Sequence, residues 1–340
     1  MSRPGRREFL KNSMALALGP AAGESTLLQP DLLAERTPQQ PSVELFPGFK
    51  REHIQTSGAT IHAVHGGKGS PVLLLHGIPE THVLWRKVAP LLAEDFYLVI
   101  ADLRGYGDSS KPPGGEDHAG YSKRAMAQDQ VEVMKYLGFP KFAVVGHDRG
   151  GRAAHRLALD YPDLLTKLVI LDIVPTYVLY RNMTKEFATV FYHWFLLAQP
   201  FPYPETLVGN SAEYFLRCML QKLGGEPLSE QVPDWVGAAA YREYLRCFRE
   251  PEAIRAMCDD YRAAASIDLV HDGADQNKKI QCPLLVLWSE KGPFHRLYNV
   301  LQTWQDRAIL AKGKPLPTGH FLPEQVPQDL TRELKGFLGP

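Results

Sequence analysis

Five short apolar runs punctuate the chain, each followed by small or polar residues. Pro71-Val-Leu-Leu-Leu75 leads into His76-Gly77-Ile78-Pro79, and Phe96-Tyr-Leu-Val-Ile-Ala101 leads into Asp102-Leu-Arg-Gly105. Lys141 to Val145, Lys167 to Leu171 and Leu284 to Trp288 repeat the arrangement. Unbroken apolar runs of this length suit strands covered on both faces, whereas a sheet with one wet side alternates. Helical stretches, Lys123 to Leu137 and Gly151 to Leu159, lie between the runs. The expected fold is therefore α/β, a largely parallel sheet flanked by helices.

Between Pro175 and about Ser266 this rhythm stops. Phe187 to Leu197 and Ser211 to Lys222 are apolar and helix-like, and no strand stands out. Residues 176–265 are expected to form a helical insertion. It leaves after the fourth run and returns before the fifth, so it should lie as a lid over the carboxyl ends of the strands, where open α/β sheets bind ligands. The core then comprises residues 45–175 and 266–340. Residues 24–44, rich in Gln, Pro and Glu, read as a linker. Residues 1–23 carry Arg6-Arg7-Glu8-Phe9-Leu10-Lys11, an uncharged stretch and Ala21-Ala22-Gly23, the pattern of a twin-arginine export signal. This predicts a periplasmic or exported protein; the alternative is a tail on a cytoplasmic one. Gly19-Pro20 interrupts the stretch, which is too short to anchor the chain in a bilayer.

Charge narrows the partners. Lys plus Arg and Asp plus Glu each number 38 in 340 residues, so no overall field favours nucleic acid or stable membrane association. Selectivity for charge must be local. Cys218, Cys247, Cys258 and Cys282 lack the close pairing of a zinc site or redox dithiol and read as free thiols.

The third run ends in Gly146-His147-Asp148-Arg149-Gly150, a nucleophile elbow with aspartate in the serine position. A carboxylate that attacks an alkyl carbon displaces a leaving group and becomes an ester, which water then cleaves. Such chemistry fits carbon–halogen or epoxide bonds. Water needs a general base, and His320 in Pro317-Thr-Gly-His-Phe-Leu-Pro323 is best placed for it. Nucleophile first and histidine last is the chain order of an α/β-hydrolase. The acid orienting His320 has two candidates, Asp172 at the end of the fourth run and Glu290 after the fifth. Asp172 is preferred, because packing explains an aspartate at a strand's carboxyl end poorly. The backbone N–H groups of Ile78 and Arg149 occupy the usual oxyanion-hole positions. Arg149 and Arg152 lie three apart on the elbow helix and together suit a substrate carboxylate; the alternative is ion pairing with protein carboxylates.

His147-Asp-Arg-Gly-Gly-Arg152, Leu171-Asp-Ile-Val-Pro-Thr176, Tyr192-His-Trp194, Leu197-Ala-Gln-Pro200, Asp259-Asp-Tyr-Arg-Ala263 and Gly319-His-Phe-Leu-Pro323 together resemble the fluoroacetate (haloacetate) dehalogenases of the α/β-hydrolase superfamily. The resemblance implies Asp148 as nucleophile, His320 and Asp172 as base and acid, and Arg149 and Arg152 as carboxylate ligands. It also implies that His193, Trp194 and Tyr261 from the lid hold the departing halide, supplying three N–H or O–H donors. A short 2-haloacid is then the substrate, with no metal and no organic cofactor, and a homodimer is implied by the resemblance alone. Ile78 stands where family members often carry an aromatic residue, and Ser289 to Tyr298 matches the family poorly.

Two other readings compete. Epoxide hydrolysis shares the triad and needs tyrosines to protonate the opening ring, Tyr261 with Tyr203 or Tyr214, but leaves the arginine pair without a task. A non-catalytic ligand receptor on the same fold would have a broken triad, and here all three members are present.

Overall fold

The computed structural model describes residues 45–339. The expected export signal and linker, residues 1–44, lie outside that range. The described residues form an eight-stranded sheet in the order β1-β2-β4-β3-β5-β6-β7-β8. The strands are β1 (Lys50–Gln55), β2 (Thr60–Gly67), β3 (Ser70–Leu75), β4 (Phe96–Ala101), β5 (Phe142–His147), β6 (Leu165–Leu171), β7 (Leu284–Ser289) and β8 (Ala311–Leu316). From β4 across to β8 every pairing is parallel. β1 and β2 form an antiparallel edge, β2 pairing antiparallel with β4.

The five apolar runs are the five central strands, and most of their side chains are buried, the exceptions lying at or near the strand starts. Patterning did not show three strands: β2, whose buried stretch is interrupted by His62 and His65, and the two edge strands. β1, Lys-Arg-Glu-His-Ile-Gln, buries only Ile54, and β8, Ala-Lys-Gly-Lys-Pro-Leu, buries only Leu316. An edge strand needs little apolar surface, and charged edges discourage pairing with other chains.

Four helices concern the site: α1 (Lys123–Tyr136), α2 (Asp148–Asp160), α3 (Tyr192–Leu197) and α4 (Pro251–Ala265). The segment between β6 and β7 contains eight helices from Thr176 to Ala274 and no strand. The expected single helix from Phe187 to Leu197 is two, Lys185–Val190 and α3, with Phe191 out of helical conformation between them. Phe191 stacks on Phe294 at 4.9 Å, so packing against the segment after β7 holds the break in place. The helical segment and the sheet belong to one compact unit.

All four cysteines are free; Cys247, Cys258 and Cys282 are buried. Among the described residues no helix is long and apolar enough to cross a membrane.

Candidate active site

β5 runs into α2 without an intervening loop, and the turn is tight enough to force Asp148 into the left-handed region, φ +45°. A non-glycine residue there is strained, and the surrounding packing must hold it. Two glycines make the turn possible. A Cβ on Gly146 would lie 2.6 Å from the Gly150 carbonyl oxygen, and one on Gly150 would lie 2.4 Å from that of His76. Gly150→Ala is therefore expected to cost about 3 kcal/mol through backbone displacement, read as a fall in Tm and loss of activity together.

The loop after β3 closes the other side. His76 Nδ1 donates to the Gly77 carbonyl at 2.8 Å, and its Nε2 accepts from the Leu103 N–H at 3.1 Å, so this histidine ties two loops together. The Ile78 N–H then donates to Asp148 Oδ1 at 3.1 Å. The Arg149 N–H belongs to the first turn of α2, where backbone donors lack partners within the helix.

His320 is brought in from the loop after β8. Its Nε2 lies 3.9 Å from Asp148 Oδ2, and its Nδ1 lies 2.6 Å from Asp172 Oδ2. The other Asp172 oxygen accepts from the Ser289 N–H at 2.8 Å. Asp172 is also left-handed, φ +49°, a second strained carboxylate at a strand end. Glu290, the competing acid, is exposed. The His320 N–H donates to the Leu223 carbonyl, which fastens the histidine loop to the helical segment.

Behind His320 lies His147, with ring centroids 4.6 Å apart. The His147 ring shares a hydrogen bond with the His320 carbonyl at 2.9 Å and faces the buried Glu80 carboxylate at 3.2 Å. Burial raises the Glu80 pKa despite His147. For Asp148, burial opposes ionisation, yet His320, His147, Arg149 and Arg152 outweigh it and hold the carboxyl below its ordinary range. The first halide release, measured as a pre-steady-state burst, is accordingly expected to stay constant as pH falls to about 5. A burst that fades above that pH would show Asp148 to be less acidic than its surroundings dictate.

The two arginines differ in a way their spacing did not reveal. Arg149 is paired within the protein: its Nε donates to Asp260 Oδ2 at 2.8 Å, and its Nη2 donates to Asp260 Oδ1 and to the Asp260 carbonyl. Among the described residues Arg152 meets no carboxylate at ion-pair distance; its Nη1 donates to the Val174 carbonyl at 3.1 Å and Thr176 Oγ1 at 3.0 Å. Asp260 thus already balances the Arg149 charge and takes one edge of its fork, so the two guanidiniums are not equivalent as the spacing suggested. Three buried nitrogens are still without partners: Arg149 Nη1, Arg152 Nε and Arg152 Nη2. Burial lowers the Arg152 pKa to about 10, the expected response of a cation without a neighbouring anion in contact.

The aromatic side chains from the helical segment pack directly on these guanidiniums. Arg149 sits 4.3 Å from the Tyr261 ring centre, and Arg152 sits 4.6 Å from that of Trp194. Tyr261 meets Trp194 edge-on at 5.4 Å and His193 at 5.9 Å, so the three residues form one cluster. All three are buried, and the Tyr261 hydroxyl has no partner. Burial drives the His193 pKa down to about 3, so its ring is neutral at working pH. Tyr203 and Tyr214, named for ring protonation, are exposed instead.

Sequence reasoning passed over Asp260, Lys123, Tyr106, Tyr180 and Glu80. Asp260 lies in a quoted motif, but nothing in its spacing tells which arginine it meets. Tyr180 packs edge-on against Trp194 at 5.7 Å, and its hydroxyl is buried without a partner. Among the described residues, His62, His82 and Asp102 are spaced as metal ligands could be, as are Asp108, Glu243 and Cys247. Neither group includes a residue touching Asp148, and both imidazoles of the first group already hydrogen-bond the Asp102 carboxylate.

Residues 70–325 match the family described as alpha/beta hydrolase fold. The chain is 43% identical to a fluoroacetate dehalogenase of Burkholderia sp over 86% of its length and 95% of that protein's. It is 32% identical to a soluble epoxide hydrolase of Corynebacterium sp. (strain C12), over 84% of this chain and 95% of the relative. The solved structure of a protein from Nostoc sp PCC 7120 is 54% identical and superposes with a TM-score of 0.81, covering 86% of this chain and 98% of that one. The chain belongs to the α/β-hydrolase family and, within it, to the family of the fluoroacetate dehalogenases.

Proposed function

We propose that this protein hydrolyses the carbon–halogen bond of a short 2-haloacid, fluoroacetate or chloroacetate, to the 2-hydroxy acid and halide. One observation carries the reading. Near the elbow carboxylate, a buried guanidinium with no carboxylate in contact among the described residues, Arg152, presents two unpartnered nitrogens and lies over Trp194, which packs on Tyr261, whose hydroxyl is also unpartnered. Leaving such donors unmet costs free energy that an anionic substrate would recover.

The substrate carboxylate takes Arg152 Nε and Nη2 together with Arg149 Nη1. This directs C2 at an Asp148 oxygen, and the carbon–halogen electron pair leaves with the halide. Trp194, Tyr261 and neutral His193 offer N–H and O–H groups to that halide. The resulting ester is broken by water. His320, oriented by Asp172, takes a proton from water as its oxygen attacks the ester carbonyl, and the Ile78 and Arg149 N–H groups receive the oxyanion. Collapse expels the hydroxy acid and restores Asp148, so each turnover consumes one water and releases one halide and one proton.

Epoxide hydrolysis is the second reading, supported by the Corynebacterium relative. It finds Tyr261 in place, but Tyr203 and Tyr214 face solvent and Arg152 has nothing to bind on a neutral epoxide. Parallel assays with fluoroacetate, chloroacetate and styrene oxide separate the two. Halide release without diol formation supports dehalogenation; diol without halide would overturn it. Export through the twin-arginine route and homodimer formation are further proposals, tested by cell fractionation and by the mass of the purified protein in solution.

A further inference from the structure

Asp260 has no part in these steps, yet four side-chain groups converge on it. Its carboxylate accepts from Arg149 Nε and Nη2, from Lys123 Nζ, and from the Tyr106 hydroxyl at 2.6 Å. Every one of these side chains is buried, and they come from separate places: Asp260 from α4, Arg149 from α2, Lys123 from the start of α1, and Tyr106 from the loop after β4. A carboxylate offers about four acceptor sites, so this one is fully used.

The same guanidinium has a second carboxylate in electrostatic reach. Arg149 follows Asp148 directly in the chain, and its charge favours the ionised nucleophile. A forked guanidinium free to turn would pair bidentately with Asp148 and occupy the oxygen that must attack. Asp260 takes the Nε and Nη2 edge, and only Nη1 stays unpartnered.

We infer that Asp260, held by Lys123 and Tyr106, is a positioning residue that keeps the Arg149 fork off the nucleophile and turns Nη1 alone toward the substrate carboxylate. The inference rests on the reading of Arg149 as a carboxylate ligand. It assigns unlike tasks to the two arginines: Arg152 supplies the uncompensated charge, and Arg149 supplies one oriented N–H. A simple structural tie would have a different signature, because its loss would lower thermal stability and the number of active sites while leaving KM and the burst rate per active site unchanged.

A double-mutant cycle with Asp260→Asn and Arg149→Met, read as chloride release from chloroacetate, distinguishes them. In the wild-type background Asp260→Asn should lower kcat/KM about 100-fold, with KM raised and the halide burst slowed. In the Arg149→Met background the same change should cost less than about 3-fold. Equal losses in both backgrounds would overturn the inference. Should Asp260→Asn fail to fold, Tyr106→Phe removes one of the four donors, and its smaller loss should likewise vanish without Arg149. Wild-type protein that releases no halide from any haloacid would remove the functional reading itself; wild-type release with equal losses removes only the role given to Asp260.

Discussion

His320→Gln is expected to release one equivalent of halide per active site and then stop. The first step needs only Asp148, which is ionised through its surroundings and stays so when one of several favourable neighbours is lost. The second step needs a base for water, and among the described residues His320 is the side chain at ion-pair distance from Asp148. His147 is packed behind His320, with its ring engaged by the His320 carbonyl and Glu80. Steady-state turnover should therefore fall by about 1,000-fold or more, while the burst persists. Mass spectrometry should find the carboxymethyl ester on the peptide containing Asp148. Loss of the burst along with turnover would mean that His320 acts before the ester forms, which the mechanism forbids.

Arg152→Met should have the largest effect on substrate recognition. Of the two site arginines, Arg152 has no carboxylate at ion-pair distance among the described residues, and two of its nitrogens lack partners. Removing hydrogen bonds to a charged ligand is expected to lower kcat/KM for chloroacetate by about 100- to 1,000-fold, chiefly through KM. Stability should change little, because the substitution also relieves a costly buried charge. Arg149→Met should behave oppositely in that respect. It strips Asp260 of its bidentate partner in a fully buried setting, and about 3 kcal/mol of stability should go with it. Kinetics and thermal unfolding of both variants, side by side, check the asymmetry. Equal losses of stability would contradict it.

What the sequence allowed to be read follows a physical line. The five central strands declared themselves because both faces are covered, so their middle positions form unbroken apolar runs. β1 and β8 did not, because an edge strand that buries one residue in six has no apolar signature. Asp148, Asp172 and His320 were legible because each stands at a strand's carboxyl end or the loop beyond one, where packing has no use for it. Two of these residues are also left-handed, strain that no residue type announces. Asp260 was opaque for the opposite reason. A buried acid on a helix becomes meaningful only when the fold brings it to Arg149, and the distance between them in the chain is 111 residues. Spacing within one helix could pair Arg149 with Arg152, but it could not show that one of them already had its anion.

In this mechanism Asp148, and not water, breaks the carbon–halogen bond. A single turnover of chloroacetate, with enzyme in excess in water enriched in oxygen-18, tests it directly. The oxygen joined to C2 then comes from the Asp148 carboxylate, and water's oxygen enters at the ester carbonyl. Glycolate should emerge without the label, and the Asp148 peptide should be heavier by one oxygen-18. Labelled glycolate with an unlabelled peptide would contradict it.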